Sequence, residues 1–113
     1  MTGVFEVKNV TTGNVFEDLG FSREESAHLA LKGFLGEQIR IFIRRNRLSQ
    51  ARAAARLGVQ QPKISKILNE NLDGMSIEYL VKLVARTGGT LEYSFTQPET
   101  YRRDNDNSQA SAI

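Results

Sequence analysis

The chain has no cysteine among its 113 residues. That excludes a disulfide framework, a thiolate nucleophile and a thiolate metal site, and it fits a reducing compartment. Histidine is almost as scarce. His28 is the only one, and no second ligand type clusters with it in the sequence, so metal binding is not expected. No apolar run approaches the roughly 20 residues that a bilayer crossing needs. No basic-then-apolar signal segment opens the sequence. The expectation is a soluble, cytoplasmic protein. Catalytic signatures are missing too. There is no phosphate loop or dinucleotide fingerprint, and no serine or threonine has an evident base. Glu24 and Glu25 are adjacent, so on a helix they point apart and favour its N-terminal dipole instead of forming a carboxylate pair. Neither an enzyme nor a cofactor is expected.

The most informative shortage is local. From Gln38 to Asn69 there is no Asp or Glu, while Arg40, Arg44, Arg45, Arg47, Arg52, Arg56, Lys63 and Lys66 supply eight positive charges. The rest of the chain carries seven basic and thirteen acidic residues. The formal net charge of +2 therefore hides a basic middle in an otherwise acidic chain. Such a stretch concentrates polyanions around itself.

What is present supports one small domain. The chain is 40% hydrophobic, enough for a modest core. Residues 1–21 read as an extended N-terminal segment, with alternation at Val4 to Val7 and a turn at Thr11 to Gly13. Ser22 with Glu25 three residues on forms a capping box. It opens a helix running toward Arg47, with Leu31, Phe34, Leu35, Ile39, Phe42 and Ile43 at helical spacing. Gly33 and Gly36 fall inside that helix, which points to a bend or to close packing. Ser49 caps a second helix, QARAAARL, and Gly58 ends it. A third helix starts near Gln60 or Gln61, with Pro62 in its first turn, where a missing N–H does no harm. Ser76 caps a fourth, Ile77 to Thr87, with Ile77, Leu80, Val81 and Val84 inward. Gly88 and Gly89 close it, and Thr90 to Phe95 reads as a strand. Residues 22–96 make the domain, and residues 97–113 form a polar tail expected to be disordered.

Two short helices joined by a glycine-containing turn are a candidate helix-turn-helix, a geometry that also occurs in proteins that never touch DNA. Ala54 suits the close crossing, and Ala51, Leu57, Val59, Ile64, Ile67 and Leu68 suit the inner faces. The other side of the third helix then carries glutamine and lysine and no acid. A helix that enters a major groove needs such a surface: Gln pairs with adenine, and Lys donates to guanine or phosphate. In this geometry the start of the second of the two helices meets bases while the first crosses the backbone. The candidate base readers are Gln60, Gln61, Lys63 and Lys66. The candidate phosphate contacts are Ser49, Gln50, Arg52, Ser65 and Asn69.

The segment LSQARAAARLGVQQPKISKILN, Leu48 to Asn69, resembles the helix-turn-helix of the XRE, or lambda-repressor-like, family. The matching residues include Gln50, Ala54, Gly58, Val59, Gln61, Pro62, Ile64, Ser65 and Ile67. NVFEDLGF, Asn14 to Phe21, is similar to the segment before the first helix in a subgroup related to HigA-type antitoxins, and GGTLEYSF agrees with that subgroup's end. The resemblance implies a mainly α, lambda-repressor-like bundle of four to five helices with a short C-terminal β-strand. It also implies Gln61, Lys63 and Lys66 facing bases, and Gln50 and Ser65 holding phosphate. By function it implies a dimeric, DNA-binding transcriptional repressor, with a HigB- or RelE-like ribonuclease toxin as partner and autorepression of a shared operon. The chain departs from the pattern in three places. Gln60 stands where Ser or Thr often caps, Gly33 and Gly36 interrupt the first helix, and NENLDGMS replaces a basic loop. Two other readings compete: a phage-type regulator without a toxin, and an interaction module that turns its basic face to a protein.

Overall fold

A computed structural model describes residues 15–99. Five helical segments follow one another. A single turn, α1, covers residues 15–18. Then come α2 (Arg23–Arg45), α3 (Gln50–Leu57), α4 (Gln61–Leu68) and α5 (Ile77–Arg86). The anticipated strand at Val4 to Val7, the turn at Thr11 to Gly13 and the tail from residue 100 onward lie outside the described residues.

Serines set the starts of three helices. Ser22, Ser49 and Ser76 hold extended backbone, and each hydroxyl oxygen accepts from the N–H three residues on: Glu25 at 3.1 Å, Arg52 at 3.1 Å and Tyr79 at 3.0 Å. Each such cap contributes about 1 kcal/mol. The stops differ. Gly58 ends α3 in the left-handed region at φ 70°, and the Val59 N–H closes back on the Ala54 carbonyl at 3.0 Å. Arg47 and Glu70 do the same for α2 and α4 without being glycine, at φ 51° and 61°. After α4, Glu70 N–H donates to the Ile67 carbonyl and Asn71 N–H to that of Lys66; after α2, Arg47 donates to Arg44 and Leu48 to Ile43. Both are Schellman closures that carry a side chain where glycine is usual.

The core joins all four longer helices. Leu35, Ile39 and Ile43 of α2 meet Ala53, Ala54 and Leu57 of α3, Ile64 and Ile67 of α4, and Leu80, Leu83 and Val84 of α5, with Met75 from the loop between. α2 packs chiefly on α5, and α3 on α4. α2 is continuous through both glycines. A Cβ on Gly36 would lie 2.8 Å from Leu72 Cδ1, whereas Gly33 has nothing within 4 Å. Close packing therefore accounts for Gly36 and not for Gly33.

Three expectations need correction, and a fourth, the C-terminal strand, is not met among the described residues. Residues 15–18, expected to be extended, form a helical turn closed by Gly20 at φ 100°, with Phe16 and Phe21 edge to face at 6.1 Å. Ala51 is exposed, and Ala53 takes its place inside. The inner face of α3 centres on Leu57, from which Ala51 lies about 120° around at 3.6 residues per turn. By the same geometry Leu83, and not Val81, completes the inner face of α5; Val81 is exposed. Finally, no strand occurs among the described residues. Residues 90–95 have no strand partner among the described residues, with Leu91 packed on the core and Tyr93 and Phe95 exposed. Alternation marks a strand's two faces, but a strand exists only when its backbone groups pair with another.

Candidate nucleic-acid interface

The surface is built from α3, α4 and the end of α2. Ile64 and Ile67 are fully buried and fix which way α4 faces. Consequently Gln60, Gln61, Pro62, Lys66 and Asn69 stand in solvent, while Lys63 and Ser65 are half-buried. Gln60 precedes α4 in extended backbone, is exposed, and makes no side-chain cap bond, so capping does not occupy its amide. Pro62 in the first turn removes one N–H that would otherwise need satisfying. Lys63 leans the other way: its Nζ sits 5.5 Å from the centre of the Tyr79 ring on α5, within cation–π range. Of the four candidate base readers, Gln60, Gln61 and Lys66 project freely, and Lys63 is held back against the body of the protein.

At the start of α3, Ser49 is exposed, and its hydroxyl oxygen is occupied by the Arg52 N–H. Its hydroxyl hydrogen remains available to donate. Gln50 is half-buried and Arg52 exposed. No acid lies in the first turn of either α3 or α4, so both positive helix ends are uncompensated from within their own first turns. Such ends take phosphate oxygens readily.

The arginines divide into two kinds. Arg44, Arg45, Arg47, Arg52 and Arg56 are exposed, with Arg56 lying over the Phe42 ring at 5.1 Å. The first three immediately precede the Ser49 cap, so the end of α2 extends the positive surface of α3. Arg40 does not belong to that surface. Its side chain is 7% exposed, pairs with Glu37 at 2.6 Å, and donates from Nη1 to the Ile67 carbonyl at 2.9 Å. Arg86, outside the basic stretch, makes a similar contact, donating to the Leu57 carbonyl at 2.7 Å. By sequence Arg40 counts with the basic stretch and Arg86 does not, and no local pattern signals either contact. Among the described residues, no three His, Cys, Asp or Glu side chains are grouped to hold a metal, and no helix is long and apolar enough to cross a membrane.

Comparison with known proteins agrees with this geometry. A family model described as a helix-turn-helix domain matches residues 15–95. No curated protein and no solved structure matches the chain.

Proposed function

Because the chain belongs to the helix-turn-helix domain family over most of its length, we propose that it is a sequence-specific DNA-binding regulator that reads the major groove with α4. One observation carries the reading. The exposed side of α4 and the residue that precedes it present Gln60, Gln61 and Lys66, acid-free, beside the exposed arginines of α2 and α3. In this reading Ser49, Gln50, Arg52, Ser65 and Asn69 hold backbone phosphates, and Lys63 reaches bases only on leaving Tyr79. The protein works by occupying DNA, without catalysis, in the cytoplasm at the nucleoid.

The finer reading is a repressor that binds as a homodimer and serves as the antitoxin of a HigB- or RelE-like toxin, repressing their shared operon. Its support is the similarity of NVFEDLGF and GGTLEYSF to the HigA-type subgroup. One small module offers few contacts for tight operator binding, and a two-fold site with two copies answers that. The segment 90–95, which has no strand partner among the described residues and leaves Tyr93 and Phe95 exposed, is the proposed edge for a second copy, with the Val4 to Val7 stretch as the alternative partner.

Selecting duplexes from a randomised pool tests the core of the proposal. The wild-type chain should enrich one sequence class, and Gln61→Ala and Lys66→Ala should each relax preference by roughly 1–3 kcal/mol per lost base contact. Enrichment of no sequence would end the DNA reading. Retained preference in both variants would end the assignment of α4. Co-purification with the product of a neighbouring reading frame tests the antitoxin role separately.

A further inference from the structure

Arg40 is a charged side chain buried in a small apolar core. Taking a guanidinium out of water is costly unless it is paired and fully hydrogen-bonded. Here Nε and Nη2 both donate to one carboxylate oxygen of Glu37, at 3.0 and 2.6 Å, one turn back on the same helix. The remaining bond leaves α2 altogether. Nη1 reaches 27 residues along the chain to the Ile67 carbonyl at the end of α4. That carbonyl also accepts the Glu70 N–H at 3.0 Å, so both of its lone pairs are used. Apolar packing of Ile64 and Ile67 holds α4 on the core by shape alone. A charged hydrogen bond to a chosen carbonyl is directional.

We infer that Arg40 is a positioning residue: with Glu37 it pins the end of α4 and so fixes the roll and depth at which Gln61 and Lys66 are presented. The inference rests on the proposed reading of DNA by α4. Arg40 touches no ligand itself. It is the link between α2, which carries the arginines flanking the site, and the helix that reads. Buried ion pairs are commonly replaceable by apolar groups with little loss of stability, so stability alone is weak reason for this one. A fixed orientation of α4 is a role that an apolar pair would not supply.

The test uses the full chain and two duplexes: one selected by wild type from a randomised pool, and a scrambled one of the same composition. Arg40→Met is the direct variant. The double variant Glu37→Met with Arg40→Met removes both charges together and keeps a folded protein in hand should the single variant unfold. Circular dichroism confirms helix content before binding is measured. The expected result is at least a tenfold drop in the ratio of affinities for the two duplexes, while the slope of log affinity against log salt stays at its wild-type value. An unchanged ratio in a folded variant would overturn the inference, leaving Arg40 as an element of stability alone. A salt slope shallower by about one would also overturn it, since that marks a phosphate contact. If wild type selects no sequence at all, the DNA reading itself fails, and this inference falls with it.

Discussion

Glu37 looks dispensable by exposure, since its side chain is 45% accessible. Its partner is not. Removing the carboxylate leaves the Arg40 guanidinium in the core with only the Ile67 carbonyl. An uncompensated buried charge costs several kcal/mol, whereas loss of an exposed ion pair costs less than about 1 kcal/mol. Glu37→Ala is therefore expected to lower unfolding free energy by about 3 kcal/mol in urea titration. A loss below about 1 kcal/mol would mean that water reaches Arg40 and that the pair is an ordinary surface one. The contrast also shows what a sequence conceals at this scale. Ser22, Ser49, Ser76 and Gly58 declare themselves, because a cap or a left-handed turn depends on local backbone and a short side chain. Arg40 reads as one more positive charge in a run of eight. Its burial depends on a carbonyl 27 residues away, and nothing local encodes that.

At the scale of the element, α2 carries two glycines with opposite meanings. An interior glycine weakens a helix by about 1 kcal/mol relative to alanine. Among the described residues nothing lies within 4 Å of a Cβ at Gly33, so Gly33→Ala should recover about that amount and raise the melting temperature. At Gly36 the new methyl would meet Leu72 Cδ1 at 2.8 Å, and Leu72 is packed against the core. Moving it disturbs the loop between α4 and α5, so Gly36→Ala should lower the melting temperature despite the better helix former. Equal and positive shifts for the two variants would show that Leu72 yields freely and that the close approach is unimportant. The helix boundaries themselves were legible to within a residue or two, because periodicity and caps agreed. The failures share a cause. α1 is a single turn, too short for a periodic signal, and residues 90–95 alternate like a strand but have no described neighbour to pair with. Arg47 and Glu70 closed their helices without the glycine that would have announced the turn.

Over the whole molecule, the charge distribution sets what the basic stretch of one copy can contribute alone. With Arg40 buried, the basic stretch offers DNA seven cations: Arg44, Arg45, Arg47, Arg52, Arg56, Lys63 and Lys66. Each phosphate neutralised contributes about −0.9 to the slope of log affinity against log salt, so this surface on one copy gives a slope no steeper than about −6. Lys63 held over Tyr79 makes the slope shallower still. A measured slope well beyond that needs either cations from outside this stretch or a second copy on the same site, and only with two copies should it halve on a half-site that binds one. Arg44→Gln and Arg45→Gln are expected to weaken selected and scrambled duplexes alike, each making the slope shallower by about one per copy, because backbone contacts carry no sequence information. Lys66→Ala should instead act mainly on the preference between the two duplexes. Titration of these variants across salt therefore separates cations that hold the duplex from side chains that read it. If Arg44→Gln and Arg45→Gln leave the slope untouched, the end of α2 faces away from the duplex, and the orientation of α3 and α4 on DNA proposed above is wrong.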